Sequence, residues 1–540
     1  MVYAIGLSLI AGACGLYYFF FKNLYLFKNY NIPYLRPWPL VGTMGQLIFG
    51  RTTLSEFVKM TYDKYPAAKY IGIYDFHKPL IMLRDPDLIK SIAIKYFDIF
   101  PGRRTSVEYD QDPLVSQNLF FLYGDKWRKI RAILSPSFTS SKMKTMSKLI
   151  SDYAIDFTNF LVQLPPEKKM VEAQDIFARY TTDIIATCAY GISINSMRNP
   201  KNLFYMFTND KTFVKKFSIL NLTINRCFPW LARILKLRFV NEKIRNFFQD
   251  LVETSIKTRI QNNIVRPDML QLMMESRDQK ENSINLTIED MASQAFAFFL
   301  AGFDTSSISM CFITHEIAGN ENIQKKLQSE IDQVLEDTNG QVSYEAINDM
   351  EYLNAVLMES LRMYPPFVLI DRKCARDFEL PPTLTNAKPF IVKKGQDVLI
   401  PIYGLHHDPK YFEEPEKFNP DRFVDEQKKH IDKTEAFLPF GLGPRKCIAY
   451  RFALMQAKLL LFHLLARCDL LPYEKTQIPL KFAKHNVILK TEDKLWLKVE
   501  PRKNPHRTVV VNIVSGTHDL EEHLHGFENL EDSCKWFDER

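Results

Sequence analysis

The stretch that decides the fold spans residues 440–449 and reads Phe-Gly-Leu-Gly-Pro-Arg-Lys-Cys-Ile-Ala, with one cysteine, Cys447, near its end. Two glycines and a proline precede the cysteine, and such residues are unfavourable in the interior of a regular helix. Residues 448–465 are apolar on most sides, which predicts a buried helix. The stretch therefore presents Cys447 from a tight loop at the start of a helix.

Two interpretations of Cys447 follow from its surroundings. A free cysteine is often buried and packs like a small hydrophobic side chain. At the first turn of a helix, unpaired backbone N–H groups and the helix dipole instead favour a thiolate. A thiolate in a water-poor loop beside a cation such as Arg445 is a soft metal ligand.

The composition excludes several classes of protein. The chain has 540 residues, 46% of them hydrophobic, which supports a large core in one domain or in a few smaller ones. The formal net charge of +7 is small for this length, and no Lys/Arg-rich run with interleaved aromatic residues indicates a nucleic-acid partner. The cysteines are scattered without C-x-x-C or C-x-x-H spacing, so neither zinc binding nor covalent haem attachment is expected.

The N-terminal segment predicts a membrane anchor. Residues 1–21 carry no charge, and an apolar run of this length is about enough to cross a bilayer as a helix. Basic residues follow from Lys22, which places the rest of the chain on the cytoplasmic side. A cleaved signal peptide is the alternative, but the run lacks a basic start and continues past the small residues at 11–13. Residues 22–40 are basic and proline-rich, which predicts a stiff hinge.

A long helix is predicted over residues 291–317, and it contains the sequence Ala-Gly-Phe-Asp-Thr-Ser at 301–306. Glycine inside a helix destabilises it by about 1 kcal/mol relative to alanine, so a structural or functional requirement is expected at Gly302. The Thr305 hydroxyl can bond the carbonyl four residues earlier and bend the helix. One interpretation is a local groove with an acid, Asp304, and an alcohol, Thr305, beside it. The alternative is a flexible helix that carries these two polar residues without a function.

Two side-chain pairs, one of them charged, and several strands complete the pattern. Glu359 and Arg362 stand three apart on a predicted helix, where an isolated pair is usually a weak surface contact. Trp127 and Arg131 stand four apart and share one helix face. Strands are predicted at 70–74 and 80–83, and a hairpin is predicted between 487–489 and 495–499.

Together these stretches resemble the cytochrome P-450 superfamily over about residues 30 to 503. Its haem-binding pattern F-x-x-G-x-R-x-C-x-G is matched at residues 440–449, with Ala449 where the pattern usually has glycine. Its oxygen-activation motif is matched at 301–306, its E-x-x-R pair at 359–362 and its P-x-R-F turn at 420–423. The sequence looks most like microsomal arthropod members that oxidise foreign compounds.

The resemblance implies a fold and a cofactor. The fold is mainly α with a small β region, the cytochrome P-450 fold with its long central helix, preceded here by one N-terminal transmembrane helix. The implied division is an anchor at 1–21, a hinge at 22–40, a monooxygenase domain at 41–503 and an acidic tail at 504–540. The cofactor is haem b, whose iron takes the Cys447 thiolate as axial ligand. The other residues implied at the haem are Trp127, Arg131, Ala301, Arg372, Phe440, Gly443, Arg445 and Ala449, with Arg103 or Arg104 as a further candidate.

The resemblance also implies roles for individual residues. Ala301 and Gly302 would leave room for dioxygen, and Asp304 and Thr305 would relay protons as it is reduced. An ionic cluster would hold the haem pocket together, and it comprises Glu359, Arg362 and Arg422. The substrate pocket would be bordered by Phe296, Phe299, Phe303, Phe367 and Val368.

The implied activity is insertion of one atom of dioxygen into an apolar substrate at the cytoplasmic face of the endoplasmic reticulum membrane. NADPH-cytochrome P-450 reductase would supply electrons, with cytochrome b5 as a further candidate partner. Detoxification of foreign compounds is the expected role, and hormone or fatty-acid hydroxylation is the alternative. An isomerase or dehydratase, or a haem-binding protein without catalysis, would not need the pair Asp304 and Thr305.

Overall fold

The structure is a computed structural model, and it describes residues 23–503 except 39, 105–111, 209–223, 226, 267 and 279–285, together with scattered positions between 3 and 18. The predicted anchor lies largely outside the described residues, and the acidic tail at 504–540 lies wholly outside them. Among the described helices, Ile288–Gly319 is long and apolar enough to cross a membrane, but much of it is buried inside the protein. The N-terminal transmembrane helix therefore stays a prediction.

Helices form most of the described chain, as predicted. In chain order they are α1 Leu26–Asn29, α2 Gly45–Ile48, α3 Leu54–Asp63, α4 Pro86–Lys90, α5 Pro113–Ser116, α6 Gly124–Leu134, α7 Ser140–Gln163, α8 Ala173–Ile185, α9 Leu203–Thr208, α10 Pro229–Ile234, α11 Glu242–Gln261, α12 Met269–Asp278, α13 Ile288–Gly319, α14 Glu321–Asp337, α15 Tyr344–Asp349, α16 Glu351–Met363, α17 Ile402–His406, α18 Asp425–Thr434 and α19 Tyr450–Arg467. Short π-helical turns occupy Ser91–Lys95 and Ala186–Tyr190, and 3₁₀ turns include Pro420–Phe423 and Gly443–Arg445.

Short strands form three small sheets. The strands are β1 Tyr70–Asp75, β2 Lys78–Leu83, β3 Met170–Glu172, β4 Ile370–Lys373, β5 Phe378–Leu380, β6 Phe390–Val392, β7 Asp397–Ile400, β8 Cys468–Leu471 and β9 Trp496–Pro501. Their orders are β1-β2-β7-β4, β3-β9-β8 and β5-β6. The strands predicted at 70–74 and 80–83 are confirmed as an antiparallel hairpin in which Ile71 faces Met82.

The hairpin predicted between 487–489 and 495–499 is wrong. Strand β9 lies between β3 and β8 and pairs antiparallel with both, so neither of its edges is left for the earlier segment. The Leu489 N–H instead donates to the Pro366 carbonyl at 2.9 Å. This bond fastens the segment before β9 to the chain that follows α16.

The predicted hinge is packed against the sheet in its described part. Phe27 is buried, and its ring lies 5.1 Å from that of Tyr74. The Leu35 N–H donates to the Gly72 carbonyl at 3.0 Å. A Cβ atom at Gly72 would stand 2.4 Å from the Phe27 ring, so glycine is needed for this close approach. Residues 23–38 are therefore part of the folded unit rather than a free connector.

The central helix α13 is longer than predicted and continuous. Its start is fixed by a capping box, in which the Asp290 N–H donates to Thr287 Oγ1 at 3.0 Å and the Thr287 N–H donates to Asp290 Oδ2 at 3.2 Å. The helix packs against α5, α8, α11 and α16, and most of its buried apolar side chains lie in the largest core cluster. It also contacts α19, the helix that follows Cys447.

Candidate active site

The loop before α19 presents Cys447 as predicted, although the helix begins at Tyr450, two residues later than expected. The Cys447 N–H donates to the Phe440 carbonyl at 2.9 Å, which closes the loop. Gly443 has φ +71°, and a Cβ atom there would lie 2.2 Å from the Ala93 carbonyl oxygen, so only glycine fits. Ala449 caps the helix at φ −96°, a conformation in which alanine in place of glycine has no backbone cost.

Cys447 lies deep within the protein, yet its side chain retains exposed surface, so it borders an internal space. Burial raises the pKa of the Cys447 thiol, while the Ala449 backbone N–H and nearby cations lower it. Those cations are Arg131, Arg103 and Lys446. Burial thus opposes the thiolate that the helix start favours, and a bound metal ion would remove the thiol proton.

Four arginines converge near Cys447, and we call them the arginine group: Arg103, Arg131, Arg372 and Arg445. In the described part of the chain their guanidinium groups donate to backbone carbonyls and to no carboxylate. Arg445, for example, donates to the carbonyls of Pro101 at 2.9 Å and Leu122 at 2.6 Å. The Nε atom of Arg372 is buried and has no hydrogen-bond partner among the residues that the structure describes.

The arginine group carries an excess of positive charge. Burial, together with the charges of Arg103 and Arg372, lowers the pKa of Arg445 to about 8. Burial and Arg103 lower the pKa of Arg372 to about 9. Arginine keeps its proton in proteins, so these shifts express how unfavourable this concentration of charge is. Asp371 partly offsets it, but its carboxylate accepts the backbone N–H of Arg104 at 2.8 Å.

Arg103 and Arg104 are neighbours in sequence but have different environments. Arg104 is buried and bonds the carboxylates of Asp75 and Asp397, so its charge is balanced within the fold. The Arg103 guanidinium lies over the Phe120 ring at 4.3 Å, and its Nη2 donates to the Arg445 carbonyl at 3.4 Å. The structure therefore assigns Arg103, and not Arg104, to the arginine group.

Trp127 and Arg131 are not a surface pair. Trp127 is only 4% exposed, and the Arg445 guanidinium stacks over its ring at 4.1 Å. Arg131 Nη2 donates to the Lys446 carbonyl at 2.9 Å. Helix α6 therefore docks on the Cys447 loop through both residues.

On α13, Thr305 Oγ1 donates to the Ala301 carbonyl at 2.6 Å, as predicted. Ala301 is exposed although its helix runs through the core, so this turn also borders an internal space. Gly302 also has a packing role that the sequence did not predict. A Cβ atom there would lie 2.3 Å from Ile185 Cδ1, so glycine allows the close packing of α13 on α8.

Two contacts of this turn have no counterpart in the sequence motifs. Asp304 Oδ1 accepts from Lys490 Nζ at 2.8 Å, across 186 positions of the chain. Gln456 Nε2 donates to Ser306 Oγ at 2.5 Å, which joins α19 to α13. Sequence reasoning missed both because neither partner belongs to a recognisable pattern.

Glu359 bridges two arginines, and we call this set the Glu359 cluster: Glu359, Arg362 and Arg422. Arg362 Nε donates to Glu359 Oε2 at 2.7 Å, and Arg422 Nε donates to Glu359 Oε1 at 3.3 Å. The Asn419 N–H adds a bond to Oε1 at 2.8 Å. Glu359 and Arg362 are completely buried, so the cluster joins α16 to the turn at Pro420–Phe423 inside the protein.

The structure corrects the predicted pocket lining on α13. Phe296, Phe299 and Phe303 are 1%, 2% and 6% exposed and pack among other rings of the core. Successive helix residues are about 100° apart, which places these rings on the side opposite Ala301 and Thr305. They stabilise the helix and do not border the space beside Ala301.

Two further predicted pocket residues follow α16. Val368 is buried, and its carbonyl accepts the Tyr403 N–H at 3.0 Å. Phe367 is half-buried and stacks on Phe120 with ring centroids 6.3 Å apart. Phe120, which sequence reasoning did not single out, is exposed and lies beside Arg103.

Comparison with known proteins decides the family. The family model described as Cytochrome P-450 matches residues 32–499 of this chain. The chain belongs to the cytochrome P-450 family. It is 39% identical to Cytochrome P-450 9e2 of Blattella germanica over 509 residues, covering 88% of this chain and 94% of the relative. It is 34% identical to Probable cytochrome P-450 9h1 of Drosophila melanogaster, with 88% and 95% covered, and 36% identical to Cytochrome P-450 6a9 of the same organism, with 89% and 95% covered.

Cytochrome P-450 proteins are haem-thiolate monooxygenases, and the residues of this cytochrome P-450 fit that cofactor. Cys447 would supply the thiolate ligand from a loop that borders an internal space. Among the described residues no carboxylate accepts a hydrogen bond from the arginine group, and the two haem propionates would supply acceptors of that kind. The unpartnered Nε of Arg372 is a buried donor available to such a carboxylate.

Proposed function

We propose that this cytochrome P-450 is a membrane-anchored monooxygenase that oxidises apolar substrates with electrons from NADPH. The overall reaction is RH + O₂ + NADPH + H⁺ → ROH + H₂O + NADP⁺. The observation that carries the proposal is the turn from Ala301 to Thr305, where Ala301 borders an internal space, the Thr305 hydroxyl is bonded within the helix, and an acid, Asp304, precedes it directly. A protein that only binds haem has no need of this turn.

When bound, the haem supplies oxygen activation through its thiolate-ligated iron. The chain's own residues bind and orient it. Cys447 would provide the ligand, and the arginine group, with Trp127, would hold the propionates. The Glu359 cluster keeps α16 in place behind the Cys447 loop.

Thr305 and Asp304 are proposed to supply protons. The Thr305 hydroxyl hydrogen is engaged with the Ala301 carbonyl at 2.6 Å, which leaves the oxygen lone pairs free to accept a hydrogen bond. A water molecule bonded there would be held beside the substrate space. Asp304, one residue earlier, would exchange protons with such water.

An apolar substrate suits the aromatic residues near Cys447. Phe120 and Phe367 are stacked and retain exposed surface, so they can contact a flat or bulky apolar molecule. We propose foreign apolar compounds as the main substrate class. A panel of 7-ethoxycoumarin, lauric acid and testosterone separates this role from fatty-acid or steroid hydroxylation.

The proposed location is the endoplasmic reticulum membrane, with the catalytic domain in the cytoplasm. Residues 1–21 would anchor the chain, and the exposed Trp230 and Ile234 on α10 offer a second apolar contact for the bilayer. Near the Cys447 loop, Lys446, Arg128 and Lys129 are exposed. This basic surface would suit an acidic flavoprotein reductase, with cytochrome b5 as a second electron donor.

Two measurements test the proposal. The dithionite-reduced protein with carbon monoxide should show a strongly red-shifted Soret band, the mark of a thiolate on iron. A band at the position of a histidine-ligated haem, or no haem band, would contradict the assignment of Cys447.

The Thr305→Ala variant tests catalysis. It should keep consuming NADPH but yield at least about tenfold less product per NADPH, with hydrogen peroxide released instead. Thr314→Ala is the matched control, because Thr314 makes the same bond, to Met310, but is buried two and a half turns away. Equal coupling in the two variants would count against the proton role of Thr305.

A further inference from the structure

Asp304 occupies an unusual place on α13. Between Asp290 and Glu316 it is the one residue whose side chain is an acid or a strong base. Its Oδ1 accepts from Lys490 Nζ at 2.8 Å, and each side chain is only 15% exposed. A charged hydrogen bond so sheltered from water is stronger than a surface ion pair.

Lys490 is itself held in place by the fold. Its carbonyl accepts the Ala483 N–H at 2.8 Å. The preceding residue, Leu489, is buried and donates its N–H to the Pro366 carbonyl at 2.9 Å. These backbone bonds fix the part of the chain from which the Lys490 side chain extends toward Asp304.

The ion pair determines where the Asp304 carboxylate lies. Adjacent helix residues point about 100° apart, so Asp304 and Thr305 do not face each other, and protons must pass between them through water. Such a transfer depends on the carboxylate's position, because a displacement of about 1 Å in a catalytic arrangement can cost about 100-fold in rate. Without Lys490 the aspartate side chain could rotate.

We propose that Lys490 is a positioning residue for proton delivery, whose ion pair holds the Asp304 carboxylate in the place from which it serves the Thr305 turn. The inference rests on the proposed monooxygenase function. It adds to that function a residue from the segment before β9, outside every motif of the sequence.

Lys490→Met tests the inference in the full chain with reductase, NADPH and whichever of 7-ethoxycoumarin, lauric acid and testosterone the wild type oxidises fastest. Product formed per NADPH should fall about three- to tenfold. The missing electrons should appear as hydrogen peroxide, by O₂ + NADPH + H⁺ → H₂O₂ + NADP⁺. The solvent deuterium isotope effect on product formation should rise, while haem content and the reduced carbon monoxide spectrum stay unchanged. Lys490→Arg, which keeps the charge, should restore most of the coupling.

Lys494→Met is the matched control, because Lys494 lies in the same segment but forms its ion pair with Glu172 at the surface, with 65% of its side chain exposed. Its coupling should equal that of the wild type. In an Asp304→Asn background, Lys490→Met should cause no further loss, since Lys490 acts through Asp304.

Three outcomes would overturn the inference. Lys490→Met could couple normally while Asp304→Asn does not, which would leave the proposed function intact. It could lose haem while the remaining holoenzyme couples normally, which would show a purely structural role. Finally, Asp304→Asn could itself couple normally, which would refute the role of Asp304 and this inference together but not the thiolate-ligated haem.

Discussion

The Glu359 cluster and the arginine group both bury arginine side chains, but they differ in what balances the charge. In the Glu359 cluster one carboxylate accepts from both arginines, so the fold supplies the counter-charge. In the arginine group every hydrogen bond to a described residue goes to a backbone carbonyl, and the positive charges act on one another. A buried arginine paired within the chain stabilises the fold, whereas a buried arginine without an acidic partner is available for an anionic ligand. The predictions below test this distinction.

The largest effect is expected from Glu359→Ala, which removes the counter-charge of two buried arginines. Breaking a buried ion pair costs about 3–5 kcal/mol, so the variant should unfold at lower urea and be recovered without haem. Haem content from the Soret absorbance and urea unfolding measure this. Glu426→Ala is the control, because Glu426 pairs with Lys429 at the exposed surface and should change stability by less than about 0.5 kcal/mol. A Glu359→Ala protein with full haem content would refute the structural role of the cluster.

The neighbouring arginines 103 and 104 sharpen the comparison. Arg104→Leu removes the guanidinium that binds Asp75 and Asp397, and it should lower the free energy of unfolding by about 3 kcal/mol. Arg103→Leu removes no ion pair with a described residue, but it should speed haem transfer to a haem-accepting protein by about 10- to 100-fold if, as proposed, Arg103 holds a propionate, because a charged hydrogen bond would then be lost. If the two variants exchanged these phenotypes, the assignment of Arg103 to the arginine group would be wrong.

The smallest effect is expected at low pH, where His406, which borders the Glu359 cluster, should reduce the stability of the fold. The His406 carbonyl accepts Arg362 Nη1 at 2.9 Å, and its Nε2 accepts the Leu438 N–H at 2.9 Å. Burial, with the charges of His407 and Arg362, lowers the pKa of His406 well below its usual value near 6.5. Below pH 6.5 the unfolded chain therefore binds a proton that the folded chain does not, and stability falls with pH by about 1.4 kcal/mol per unit.

His406→Gln keeps an acceptor for the Leu438 N–H but does not titrate. The loss of unfolding free energy between pH 7 and pH 5 should be about 2 kcal/mol smaller in this variant than in the wild type. Urea unfolding at the two pH values measures the difference. An equal loss in both proteins would show that His406 takes no part in acid sensitivity.

Local patterns predicted much of the fold and of the site. The cysteine loop, the long helix and the bond from Thr305 to Ala301 depend on residues within about four positions of one another, so their spacing is visible in the sequence. The strands at 70–74 and 80–83 were also predictable, because they form a hairpin with a short turn.

The predicted hairpin before the C-terminus failed because the edges of β9 were already occupied by distant strands. The phenylalanines of α13 were placed in the pocket because helical spacing shows which residues share a face but not what that face contacts. The reason for Gly302 was likewise hidden, since Ile185 lies on another helix.

The sequence by itself determined the family, the cysteine that binds haem and the types of side chain expected around it. These depend on short motifs that can be read directly along the chain. Only the tertiary structure decided which charges have partners. It separated Arg103 from Arg104 and brought Lys490 to Asp304. Ion pairs form where distant segments of the chain cross, and the distance between two charges in space is not encoded by their separation in sequence.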